Sequence, residues 1–334
     1  MKNYKLKARN LLFAVLAAGV SISAWTVPQS ASAAVPAKQM TQVPGYYRMM
    51  LGDLEVTALY DGAILLDRGL LKGVTEQDLQ DLLAQMFVPT SGSGVQTAVN
   101  AYLVNTGKNL ILMDAGAAKC FGPTLGSVRD NIRAAGYDAA QIDTVLLTHL
   151  HGDHACGIAT DDGKIAFPNA TVYVDKNEAG FWLNKEIAAK APKDAQPFFE
   201  AAQNSVAPYG AAGKLKQFNP GDTVIPGVIS VPLPGHTPGH GGYLLSSEGQ
   251  QLLVWGDVVH SHSVQFMRPE VSIEFDVDQP QAVVSRKKIL AEADARKLWV
   301  AGAHLPFPGI GHVHKEDKGY TWIPVEYSPV QAKK

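Results

Sequence analysis

Between residues 54 and 60 apolar and polar side chains alternate (Leu-Glu-Val-Thr-Ala-Leu-Tyr), the period of a half-buried strand, and Asp61-Gly62 predicts the turn that ends it. The spacing becomes helical over 75–87, with Thr75 and Glu76 at the cap. Residues 99–104 and 109–113 read as paired strands joined through Thr106-Gly107-Lys108. A helix over 125–135 is stopped by Gly136. The short apolar run 144–147 predicts a buried strand that delivers the chain to His149. The second half repeats the style, with strands at 171–174, 228–233, 242–246, 251–255 and 297–301 and helices at 176–190, 198–209 and 281–295. Strands and helices alternate throughout, so a layered α/β domain is predicted.

The first 33 residues stand outside that pattern. Lys2, Lys5, Lys7 and Arg9 precede an apolar run at 11–24, and Ala31-Ser32-Ala33 has the small-x-small form of a cleavage site. The run is shorter than the ~20 residues that span a bilayer. The expectation is a secretory signal peptide over 1–33, cut near Ala33, with export to a periplasm or beyond and no stable membrane anchor. Residues 34–334 contain no Pro/Ser linker and no short-period repeat, which predicts one domain, with 34–45 as an irregular N-terminal arm. By analogy alone, that arm would support a homodimer.

With 46% hydrophobic and 18% charged residues among 334, the composition is that of a globular protein and excludes disorder. Without residues 1–33 the chain carries 25 basic against 31 acidic residues, too few cations for a nucleic-acid partner. A small molecule is the expected substrate. Export permits a disulfide between Cys120 and Cys156, the only two cysteines, yet spacing says nothing of their distance. Two separate buried thiols are the simpler expectation.

All ten histidines lie between 149 and 314. The densest group is Thr148-His-Leu-His-Gly-Asp-His154, expected in a loop at a strand end. Alternate positions of an extended segment point the same way, bringing His149 and His151 together, while the following turn lets Asp153 and His154 face a second point. Imidazole nitrogen and carboxylate oxygen suit zinc and similar divalent ions. The chain has no G-x-S-x-G elbow, P-loop or dinucleotide fingerprint.

This motif resembles that of the metallo-β-lactamase fold superfamily, and four further segments match its signatures in order. Met113-Asp114-Ala-Gly116 precedes the histidine cluster; Pro234-Gly-His236-Thr-Pro-Gly-His240, Leu253-Val-Trp-Gly-Asp257 and Ala301-Gly-Ala-His304-Leu305 follow it. Within the superfamily the likeness is greatest to methyl parathion hydrolase and related exported lactonase-like hydrolases. It is carried by Phe167-Pro-Asn-Ala170, Glu178-Ala-Gly-Phe-Trp-Leu183, Ala118-Lys-Cys-Phe-Gly-Pro-Thr-Leu-Gly126 and Phe307-Pro-Gly-Ile-Gly-His312.

The resemblance implies a four-layer αββα sandwich in the α/β class, with two divalent metal ions, zinc expected, at one edge. His149, His151 and His236 would hold one, Asp153, His154 and His304 the other, with Asp257 bridging. It also implies a metal-bridging hydroxide acting on lactones, aryl esters or organophosphate triesters, acyl-homoserine lactones and methyl-parathion-type compounds included. Phe121, Trp182 and Phe198 or Phe199 would line an apolar leaving-group pocket. His240, Asp61 and Asp114 are expected to support the site, and His312 and His314 to stay outside it. His260 and His262 stand where the likeness leads one to expect apolar residues. The alternative is an exported β-lactamase, disfavoured by Asp257. A scaffold without turnover is disfavoured because all seven ligand positions are filled.

Overall fold

The computed structural model describes residues 35–89, 92 and 94–330; the expected signal peptide lies outside them. Residues 35–42 form no helix or strand, and the compact unit begins at Val43. Its first sheet contains β1 (Tyr46–Leu51), β2 (Leu54–Asp67), β4 (Gly94–Asn105), β5 (Leu110–Met113), β6 (Thr144–Leu146), β7 (Thr171–Asp175) and β8 (Leu215–Phe218), in that spatial order. The second contains β9 (Thr223–Ile225), β10 (Val228–Pro232), β11 (Gly241–Ser247), β12 (Gln250–Val254), β14 (Trp299–Ala301), β15 (Ile310–Lys315) and β16 (Tyr320–Pro324). Its order is β16-β15-β14-β12-β11-β10-β9. A small ladder pairs β3 (Leu71–Lys72) with β13 (Ser272–Ile273).

The helices are α1 (Glu76–Gln85), α2 (Val128–Ala134), α3 (Gly152–Ala155), α4 (Lys176–Trp182), α5 (Lys185–Lys190), α6 (Gln196–Ala211), α7 (His262–Gln265) and α8 (Gln279–Arg296). Strand alternation sorts the core into layers. Tyr102, Val104, Ile111 and Met113 meet Tyr243, Leu245, Leu252 and Val254 between the two sheets. Their neighbours Ala101, Leu103, Leu110 and Leu112 face the opposite way, onto Val128 and Ile132 of α2 and Phe199, Ala202 and Val206 of α6. Across the second sheet, Leu253 and Val300 pack on Ile289, Leu290 and Ala293 of α8. The result is the αββα sandwich.

Three local expectations are corrected. Asp61-Gly62 is not a turn: β2 runs on to Asp67 with a register shift between Tyr60 and Gly62 against β4. The helix predicted over 176–190 is two, because the Asn184 side chain accepts from Glu186 and Ile187 N–H and starts a new helix there. Cys120 and Cys156 are not separate thiols but a disulfide, with Cα atoms 6.4 Å apart. Among the described residues no helix is long and apolar enough to cross a membrane.

Candidate metal centre

The strands of both sheets deliver their loops to one edge, where open α/β sheets bind ligands. β6 leads through Thr148 to His149; His151 stands at the N-cap of α3, whose first turn carries Asp153 and His154. His236 follows β10, Asp257 follows β12 and His304 follows β14. Two groups result: His149, His151, His236 and Asp257, and Asp153, His154, Asp257 and His304, each with ligand atoms within 4.8 Å of one another. Asp257 belongs to both. Its Oδ2 lies 3.3 Å from His236 Nε2, 3.7 Å from His149 Nε2 and 3.0 Å from His304 Nε2, and its Oδ1 lies 3.1 Å from His154 Nε2. Asp153 Oδ2 sits 3.5 Å from both His154 and His304 Nε2.

Three of the imidazoles are oriented from behind, as metal-binding histidines usually are. His154 Nδ1 donates to Asp114 (2.9 Å), whose carboxylate also accepts from Thr148 N–H and Oγ1–H (2.8 Å each). His236 Nδ1 donates to Asp276 (2.8 Å), and His304 Nδ1 donates to the Ala98 carbonyl (2.9 Å). His240 is not in either group: it donates to the Leu233 carbonyl and its Nε2 accepts the Asp257 N–H at 2.9 Å, setting the loop that carries Asp257. Buried Asp61 accepts from Ala117 and Val128 N–H. Gly116 is required beside it, since at φ +76° a Cβ there would lie 2.5 Å from Asp61 Oδ1.

Two supports were not legible in the sequence. Besides Asp276, buried Glu178 accepts Leu150 N–H, Thr237 Oγ1–H and Gly239 N–H, tying the His149–His151 loop to the His236 loop. Burial raises its pKa to about 7 against the pull of these donors. Asp276 lies in no recognisable segment, and Glu178 lies in one whose residues give no sign of a role at the ligand groups; only the fold brings them to the site. His312 bonds the Leu298 carbonyl and His314 is half-exposed beside Asp294, both away from the two groups.

The charges around Asp257 are uneven. Burial and neighbouring imidazoles hold His149 and His151 well below the ordinary histidine range. Burial acts the same way on His154 but is outweighed by Asp257, Asp153 and Asp114, which raise it well above that range. His236 is likewise raised, to about 9, by Asp257 and Asp276 against its burial. Burial is also outweighed at Asp257 itself, which the surrounding imidazoles hold well below the carboxylate range. His149 Nε2, His154 Nε2 and Asp257 Oδ1 are buried without a hydrogen-bond partner. Converging, desolvated nitrogen and oxygen donors of this kind fit divalent cations.

A cavity of about 280 Å³ opens onto both groups. His151, Asp153, Asp257, His260 and His304 form its floor, with Ile64, Leu65, Leu66, Leu70, Phe121, Phe198 and Phe275 around them. Of the four aromatics expected to line it, Phe121 and Phe198 do so. Trp182 and Phe199 do not: they pack against each other in the core, ring centroids 4.6 Å apart and tilted by 52°, with Trp182 edge-to-face on the His151 ring. Their place is taken by Phe275 and the apolar stretch of β2, which helical spacing could not single out. His260 lies against His304 (5.1 Å, stacked) with Nε2 3.2 Å from Asp257 and Nδ1 unpartnered.

Residues 94–304 match the profile of the metallo-beta-lactamase superfamily. The chain is 46% identical to AbOPH, a hydrolase in the beta-lactamase superfamily, over 86% of its own length and 100% of that protein, with a TM-score of 0.83. It is 30% identical to AidC, a dizinc quorum-quenching lactonase in complex with the product N-hexanoyl-L-homoserine, covering 85% and 99% with a TM-score of 0.79. A probable metallo-hydrolase of Mycobacterium bovis is 25% identical over 50% of this chain and 58% of its own. The chain spans about three fifths (61% and 58%) of the length of two curated relatives it matches.

Proposed function

The chain belongs to the metallo-β-lactamase superfamily and is a metal-dependent hydrolase, and from that premise we propose that it is an exported dinuclear enzyme acting on neutral lactones and aryl esters, with phosphotriesters as side substrates. The observation that carries this reading is the cavity. Its described lining contains neither Lys nor Arg, and its ionisable members are Asp67, Asp153, Asp257, His151, His260 and His304. A β-lactam carries a carboxylate that would find no side-chain cation there. A neutral ring or ester with an apolar arm matches Leu65, Leu70, Phe121, Phe198 and Phe275. The likeness to AidC supports a lactone as the natural substrate, with acyl-homoserine lactones the first candidates.

His149, His151, His236 and Asp257 would hold one ion, and Asp153, His154, His304 and Asp257 the other, zinc being the expected metal. When bound, such a pair lowers the pKa of water to near neutrality and polarises the substrate oxygen. Asp257 fixes the spacing of the two groups, held by His240 from behind. His260, on the cavity floor beside Asp257, orients the substrate oxygen, while the apolar rim excludes bulk water. The disulfide fits an oxidising compartment and so supports export.

The test is a panel on metal-analysed protein, before and after chelation: acyl-homoserine lactones, a simple aryl ester, methyl paraoxon and a cephalosporin. Chelator-sensitive turnover of lactone and ester, with slower paraoxon turnover, is expected. Cephalosporin turnover alone would overturn the reading.

A further inference from the structure

We infer that the Cys120–Cys156 disulfide is a positioning element of the substrate cavity, fixing Phe121 as a wall above the helix that carries Asp153 and His154. The inference rests on the cavity being the substrate site. Cys156 is buried and directly follows α3, whose Asp153 and His154 face the second group. Cys120 precedes Phe121, which lines the cavity although 41% of it is exposed. The bond therefore joins one wall of the cavity to its floor.

The fit between the two is close. A Cβ on Gly152 would lie 2.8 Å from Phe121 Cε2, 3.2 Å from Cys156 Sγ and 3.6 Å from Cys120 Cβ, so the ring and the disulfide pack directly on α3 where it has no side chain. Among the described residues few polar contacts hold this wall. Residues 119–124 are exposed and belong to no helix or strand. Their ties are the Cys120 N–H to the Ala117 carbonyl, an ion pair between exposed Lys119 and Asp161, and the packing of Gly62 against the Thr124 carbonyl. An exposed loop with so few bonds opens at low cost unless it is cross-linked. Without the disulfide, Phe121 leaves α3 and the cavity loses an aromatic face, while both ligand groups keep their own supports in Asp114, Asp276, His240 and Ala98.

The test compares wild type, Cys120→Ala/Cys156→Ala, Phe121→Ala and the triple variant, all metal-loaded, with metal content measured. Hydrogen exchange over 118–124 should quicken in the double variant while β6 stays protected. KM for a long-chain acyl-homoserine lactone should rise about tenfold in both the double variant and Phe121→Ala, with kcat changed less than about twofold. The triple variant should be no worse than Phe121→Ala, because two routes to one lost contact do not add. Unchanged exchange overturns the inference, as does wild-type KM in the double variant or a multiplicative effect in the triple. If the double variant does not fold, Cys120→Ala alone releases the same loop and is read by the same criteria. A wild type that turns over no member of the panel removes the functional reading, and exchange then decides the role of the disulfide by itself.

Discussion

Replacing Asp276 by Asn takes a charge from behind His236 and leaves the shape of the site almost unchanged. Asp276 Oδ1 accepts His236 Nδ1–H at 2.8 Å and Oδ2 accepts Ile273 N–H at 3.1 Å. An amide can accept only one of these and turns its own N–H toward the other, a buried mismatch costing about 1–3 kcal/mol. Arg286, 4.0 Å away, keeps the Val258, Pro269 and Val271 carbonyls and so is not stranded. Against its burial, Asp257 and Asp276 raise His236 to about 9, so at pH 7 a metal must displace the proton these carboxylates hold there. Affinity at this group should therefore rise about tenfold per pH unit between 7 and 9.

At pH 9.5, where that competition has ended, Asp276→Asn should bind metal about 10- to 100-fold more weakly, as expected when the partner orienting a ligating histidine is lost. At pH 7 the gap should narrow, because the variant also holds the His236 proton less tightly. The same proton stabilises the metal-free fold: its contribution is complete below about pH 6.5 and is lost as pH rises through about 9. Competition with a chromophoric chelator at the two pH values measures both effects. Equal affinity of wild type and variant at pH 9.5, or a wild-type affinity flat from pH 7 to 9.5, would refute the reasoning.

Asp257→Ala should strip metal from both groups and reduce turnover to background; full metal content with near-normal rates would remove the proposed site. His260→Ala should retain its metals yet lose about tenfold in kcat/KM on lactones, the worth of one hydrogen bond to a charged or polarised oxygen. An unchanged kcat/KM would leave His260 a packing residue. Cys120→Ala/Cys156→Ala, which opens a 36-residue separation, should lower unfolding free energy in urea by about 3–4 kcal/mol. A loss under ~1 kcal/mol would mean that the loop is held by other contacts.

What could be read along the chain was whatever local order encodes. Period-two and period-3.6 patterns located most strands and helices, because burial on one face requires them. The ligand-type side chains at 149, 151, 153 and 154 were legible because four donors crowd into six positions at a strand end, and 236, 257 and 304 because each follows a strand in a recognisable segment. Other features depend on which surfaces meet. Asp276 stands alone in the sequence and Glu178 has no ligand-type neighbour beside it; both acquire their roles only when the segment before α8, α4 and the 233–240 loop converge on the two groups. Trp182 and Phe199 differ from Phe121 and Phe198 only in facing the core rather than the cavity, and Phe275 reaches the cavity from a distant segment. The pairing of Cys120 with Cys156 likewise needed a distance that spacing cannot supply. Local composition determined the chemistry available to this protein; tertiary packing decided which apolar groups surround that chemistry and which polar ones hold it in place, because both depend on contacts between segments far apart in sequence.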